Sequence, residues 1–203
     1  MRIDHFRGFE AYWAVPEAAP TAEHGAWRRG PGAAFFEAIA AELGEVPFIA
    51  EDLGLITPGV TQLRDRFGLP GMKVLQFAFD GSPDHPFLPH TYPRNCVAYT
   101  GTHDNDTTMG WYRSTSDQVR HNARVYLSHG DDGIVWALIT ALAGSEADLV
   151  VLPAQDLYEL GTEARMNYPG TSEGNWSWRM TSEQLEDDRP WQRLGQLTNL
   201  YGR

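Results

Sequence analysis

Short apolar runs alternate along this chain with helix-like patterns, and that alternation limits the folds open to it more than any other feature. The segment Arg2–Phe6 reads as a strand. Ala33–Leu43 reads as a helix, with Phe35, Phe36, Ile39, Ala40 and Leu43 on one face and Gly44 as its stop. Val46–Ala50 is a short apolar run that fits a buried strand, and Thr57-Pro58 then supplies a capping residue and a first-turn proline for a helix running to about Phe67. A strand is expected over Met72–Phe79, a proline-rich loop over Asp80–Arg94 and a strand over Cys96–Thr100. Helices follow around Ser116–Ser128 and Gly133–Ala143, then a strand at Leu149–Leu152. The stretch Ala14–Gly32 reads as a loop anchored by Trp27, and the chain from Gly161 onward reads as loops plus a short helix near Ser182–Leu185. Alternation of this kind implies a parallel sheet covered by helices.

Three of the five expected strands carry an acidic residue at the C-terminal end: Asp4, Glu51 and Asp104. Parallel strands would deliver these acids to the same end of a sheet, where barrels and open α/β sheets alike place their chemistry. Side chains alternate along a strand, so Arg2 and Asp4 share a face while Ile3 and His5 take the other. An arginine beside a carboxylate favours its charged form, which suits a nucleophile. Glu51 follows the apolar run Phe48-Ile49-Ala50, and a partly buried setting of that sort suits a general acid. The adjacent Asp52 points to the opposite face and reads as a loop or capping residue.

Composition narrows the partners. Of the 203 residues, 42% are apolar and 21% charged, an ordinary globular balance. A net charge of −11 disfavours nucleic acid and anionic membrane surfaces and is compatible with a neutral substrate. The single cysteine, Cys96, excludes a disulfide framework and fits a reducing, cytoplasmic setting. Arg2, Asp4 and Arg7 stand where the apolar core of a signal peptide would be, so none is expected at this start. The 13-residue uncharged run Gly133–Ser145 is too short to span a bilayer and reads as a buried helix.

On the residues alone, several readings stay open. Arg2 and Asp4 could form a structural ion pair at a strand end. His103, Asp104 and Asp106 could ligate a divalent metal, or the His-Asp-Asn-Asp run could simply stabilise a turn. Paired carboxylates can also split a glycosidic bond, one acting as nucleophile and the other as acid.

Five blocks, in order, resemble the 4-alpha-glucanotransferases (amylomaltases, or disproportionating enzymes) of the alpha-amylase clan. They are Arg2-Ile3-Asp4-His5-Phe6-Arg7-Gly8-Phe9, Ile49-Ala50-Glu51-Asp52-Leu53-Gly54-Leu55-Ile56-Thr57-Pro58, Gly68-Leu69-Pro70-Gly71-Met72-Lys73-Val74-Leu75-Gln76-Phe77, Thr100-Gly101-Thr102-His103-Asp104-Asn105-Asp106-Thr107 and Glu163-Ala164-Arg165-Met166-Asn167-Tyr168-Pro169-Gly170-Thr171. The resemblance implies an α/β fold, namely part of a (β/α)8 TIM barrel comprising strands four to eight with their helices. Residues 1–203 would then be the C-terminal portion of one catalytic barrel domain, with a missing N-terminal half as its partner and impaired activity when alone. It implies retaining transfer of alpha-1,4-glucan segments between maltooligosaccharides through a glycosyl-aspartate. Asp4 would be the nucleophile, Glu51 the general acid/base and Asp104 the transition-state stabiliser. Arg2, His103 and Asn167 would contact substrate, and Phe77 or Phe79 would line the acceptor side. It implies no metal and no organic cofactor. Two other functions are expected as alternatives: an alpha-glucan hydrolase of the same clan, and an inactive glucan-binding fragment.

Overall fold

The computed structural model describes residues 1–44 and 47–203, which form two compact units, Met1–Met72 and Lys73–Arg203. The architecture is α/β.

In the first unit, strands β1 (Arg2–Ile3) and β4 (Ile49–Ala50) pair in parallel, Arg2 with Ile49 and Ile3 with Ala50. Between them the chain forms an antiparallel hairpin, β2 (Ala11–Ala14) with β3 (Ala26–Arg29), where a loop was expected. The register places Trp13 opposite Trp27, their rings edge-to-face at 5.4 Å, and the Arg7 guanidinium lies 4.2 Å from the Trp27 ring centroid. Aromatic cross-strand pairs of this kind stabilise a hairpin without help from its loop. Helix α1 (Ala33–Leu43) spans the expected residues and buries Phe36 against Phe6 and Phe67. Of its expected apolar face only Phe36 is buried; Phe35, Ala40 and Leu43 are exposed. The strand expected over Val46–Ala50 is present at Ile49–Ala50; Val46 lies outside the described residues.

Helix α2 (Pro58–Arg66) opens as its sequence dictates: Thr57 caps it by accepting from the Val60 amide, with proline in the first turn. It buries Val60 and Leu63 into a core shared with Phe6, Phe36, Ala50 and Leu69. Asp52 is more than a loop residue. It pairs with Arg64 of α2 at 2.6 Å and accepts from the Met72 amide at 2.7 Å. These groups occupy the space a Cβ on Gly71 would need, so the chain passes them only as glycine.

In the second unit, strands β5 (Gly71–Val74, beginning at the boundary), β6 (Cys96–Tyr99) and β7 (Leu149–Val151) form a sheet in that order, with β6 and β7 parallel. The strand expected over Met72–Phe79 stops at Val74 and becomes a 3-10 turn over Leu75–Phe77. The turn lets Leu75 and Gln76 both face inward, which the alternation of a continuing strand forbids. The Gln76 side chain then donates to the Asp106 carbonyl at 3.0 Å. Helices α3 (Thr108–Ser114), α4 (Asp117–Leu127) and α5 (Ile134–Ala143) follow. Ser116 caps α4 through the Val119 amide. Helix α5 is the buried helix expected, with Ile134, Val135, Trp136, Leu138, Ile139 and Leu142 all in the core. Each such side chain contributes about 1.5–3 kcal/mol of burial.

After β7 come α6 (Ala154–Leu157), α7 (Ser182–Glu186) and α8 (Arg189–Tyr201). Helix α7 has a complete Thr181–Gln184 capping box. Helix α8 and α3 were not expected. Leu194 and Leu197 lay α8 onto the core, and Arg203 donates to the Ala143, Ser145 and Ala147 carbonyls, a cation on the C-terminal end of α5. No helix of the described residues is long and apolar enough to cross a membrane.

Candidate functional site

Two groups of the expected residues can be built up, one in each unit. In the first, β1 ends at Ile3 and the chain turns at once, with His5 in the left-handed region at φ +47°. The register Arg2–Ile49, Ile3–Ala50 leads in its next step to Asp4 and Glu51, and the Glu51 amide bonds the Ile3 carbonyl at 3.0 Å. Adjacent strands lie roughly 4.8 Å apart. Arg2 and Asp4 form an ion pair on one face, as alternation requires. Arg2 Nε has no hydrogen-bond partner among the described residues, and Asp4 is largely exposed. Glu51 is half-buried and held at both oxygens: Oε2 accepts from the His5 amide at 2.7 Å and Oε1 from the Leu53 amide at 3.1 Å. The left-handed turn at His5 aims its amide at Glu51, so two residues that each end a strand are joined through one peptide unit.

In the second unit the loop Gly101–Thr107 carries His103 and Asp104. Asp104 Oδ1 accepts from Asn167 Nδ2 at 2.6 Å, and Oδ2 lies 3.3 Å from His103 Nε2. Asp104 and Asn167 stand 63 residues apart in sequence and touch directly. Arg165 fixes both ends of this contact, donating to the Asp104 carbonyl at 2.8 Å and the Asn167 carbonyl at 2.8 Å. The His103 ring lies against Trp176, 5.1 Å between centroids. Trp176 is half-exposed and sits at φ +58°, a conformation that costs a bulky residue about 1–3 kcal/mol. Phe77, at the end of the 3-10 turn, is exposed and meets Phe87 edge-on at 5.7 Å. Asp106 turns to Thr162 Oγ1 at 2.7 Å and to the Thr107 amide. No three His, Cys, Asp or Glu side chains among the described residues are placed to share a metal ion.

The loop is clamped from below by Asp156 at the start of α6. Its Oδ2 accepts from Thr100 Oγ1 at 2.5 Å and Thr108 Oγ1 at 2.7 Å, and Oδ1 accepts from the Thr108 amide at 2.8 Å. Thr100 precedes the loop and Thr108 follows it, so one buried carboxylate closes its base. Burial pushes the Asp156 carboxyl above the ordinary range, against the three hydrogen bonds that favour its charged form. Sequence reading missed Asp156, Arg165 and Trp176. Arg165 stood inside a matched block, and the run Gln155-Asp156 after β7 was visible as another acid beyond a strand end.

A family model described as 4-alpha-glucanotransferase matches residues 1–185. The 4-alpha-glucanotransferase of Thermus thermophilus is 53% identical over 93% of this chain and 39% of its own length. That of Synechocystis is 50% identical over 100% of this chain and 41% of its own. Among solved structures, amylomaltase from Streptococcus agalactiae in complex with acarbose superposes on 100% of this chain and 41% of its own, with a TM-score of 0.94 at 36% identity. This chain thus spans about two-fifths of the length of the curated relatives it matches.

Proposed function

Because the chain belongs to the 4-alpha-glucanotransferase family, we propose that it carries the catalytic acids of a retaining transfer of alpha-1,4-glucan segments between maltooligosaccharides. The observation that carries this reading is the pairing of β1 with β4, whose next register step sets Asp4 against Glu51. Retaining glycosidases hold their two carboxyl groups about 5–5.5 Å apart, close to the spacing of neighbouring strands.

In this reading Asp4 attacks the anomeric carbon and forms a glycosyl-aspartate, while Glu51 gives its proton to the departing glycosidic oxygen. Glu51, now a carboxylate, then takes the proton from an acceptor sugar hydroxyl as that oxygen displaces Asp4. The acid and base roles therefore belong to one residue in opposite directions. Arg2 orients Asp4 through their ion pair. Asp104 offsets positive charge on the sugar ring, with His103 beside it and Asn167 bonded to it, both contributing sugar contacts. Phe77, exposed on its turn, supplies an apolar surface for an acceptor. The chemistry requires no metal and no organic cofactor. We take the chain to be strands four to eight of a (β/α)8 barrel, with the remaining strands of that barrel as its partner and transfer by this portion alone impaired. The buried thiol of Cys96 suits a reducing compartment, and we assign the chain to the cytoplasm.

The test is covalent. Incubation with a maltosyl fluoride lacking its acceptor hydroxyl, followed by peptide mass mapping, is expected to place a glycosyl adduct on Asp4 and none in Asp4→Asn. An adduct on another residue overturns the assignment. With maltotriose, glucose and longer oligosaccharides appearing together mark transfer, and a net gain of reducing ends marks hydrolysis.

A further inference from the structure

We propose that Trp176 is a sugar-stacking residue whose exposed indole face holds a glucose ring of the glucan bound beside Asp104; this rests on the glucan reading above. Trp176 holds a backbone conformation that bulky side chains avoid, φ +58°, and it does so without burying its ring. Packing therefore does not compensate for the strain, since a tryptophan that serves a core is mostly enclosed.

The surrounding bonds fix the conformation instead. The Trp176 amide donates to the Met166 carbonyl at 2.7 Å, and Arg179 donates to the Trp176 carbonyl at 2.8 Å. The preceding Asn175 accepts from the Tyr168 amide at 2.8 Å and donates to Thr171 at 3.0 Å. All of these ties are to main chain or to neighbouring polar groups, and none encloses the ring. The indole is left half-exposed against His103, the neighbour of Asp104 in both sequence and contact. The C–H faces of a glucose ring carry partial positive charge, which the negative face of an indole attracts. Strain that holds an aromatic surface open beside a hydrogen-bonding carboxylate is the arrangement a sugar site needs.

Two substitutions separate this role from a structural one. Asparagine tolerates the left-handed region, so Trp176→Asn is expected to unfold thermally at or above the wild-type midpoint while binding maltoheptaose about tenfold more weakly by calorimetry. Trp176→Tyr keeps an aromatic face, so it is expected to bind within about twofold of wild type yet lose the indole difference spectrum that maltoheptaose induces. Wild-type affinity in Trp176→Asn overturns the inference. So does a fall in both variants that tracks a lowered midpoint, the mark of a structural prop. If the wild-type chain binds no maltoheptaose at all, the glucan reading itself fails and the inference falls with it.

Discussion

Removing the Asp156 carboxylate tests whether the base of the His103–Asp104 loop is closed by hydrogen bonds or by charge. In Asp156→Ala the Thr108 amide loses its acceptor at a site where both residues are about 1% exposed. A buried donor left unpaired costs about 1–3 kcal/mol. The Thr100 and Thr108 hydroxyls lose the same partner, although each can rotate toward the other, so together they add less than two further full losses. The expected total is about 2–5 kcal/mol. Asp156→Asn keeps a carbonyl oxygen for the amide and offers an NH₂ to the two hydroxyl oxygens, whose protons turn away. It also removes the cost of burying a charge, so the expected change is below about 1 kcal/mol. Urea unfolding followed by circular dichroism, extrapolated to water, measures both. The pH dependence adds a second reading. The native carboxyl is raised, so the native state binds more protons than the unfolded chain between the ordinary aspartate value and its own. Stability from this residue is greatest below the ordinary value and falls as pH rises through that window; Asp156→Asn abolishes the fall. An asparagine variant as damaged as the alanine one would refute the reasoning, since charge and not bond count would then hold the loop.

Asp131 shows the opposite linkage. Hydrogen bonds from Tyr112 first and Arg124 second hold its carboxyl below the ordinary value, so its contribution is present above that value and lost as pH falls through the lowered one. Tyr112→Phe removes the larger cause and is expected to flatten acid unfolding in that window; an unchanged acid transition counts against it. In the first unit, Arg64→Leu leaves the nearly buried Asp52 without its cation and is expected to cost roughly 1–3 kcal/mol by denaturant unfolding, while Asp65→Ala, whose partner contact is exposed, costs under about 1. Equal losses would show that Asp52 is not the partner that matters.

Elements whose ends carry local chemistry were legible from sequence. Thr57-Pro58 starts α2 and Ser116 starts α4 because each side chain satisfies an amide of its own first turn, and Gly44 ends α1 where a left-handed residue is needed. The hairpin Ala11–Ala14 with Ala26–Arg29 was not legible. Its connection is long, with no tight-turn dipeptide, and what joins it is the cross-strand Trp13–Trp27 pair and Arg7. Helix α8 begins at Arg189-Pro190, where proline reads as a break although it sits at the helix start, and α3 follows a turn-rich loop that hides its Thr107 cap. Asp4 and Glu51 directly follow β1 and β4 as expected, whereas Asp104 lies further on, in the loop beyond β6. The contact of Asp104 with Asn167 was not foreseen, since nothing local encodes a meeting across 63 residues. The positive φ at Trp176 is held by its amide bond to the Met166 carbonyl and by the Arg179 side chain on its own carbonyl, a pair that no local sequence pattern announces.

The turn at His5 has a consequence for how the two acids of the first unit keep their spacing. Glu51 is anchored by main-chain amides on either side, one of them belonging to the residue that follows Asp4. Their separation is therefore governed by peptide torsions rather than by freely rotating methylenes. A site aligned in this way resists thermal blurring, and substitutions at neighbouring surface positions leave its aim intact as long as that single reversed dihedral survives.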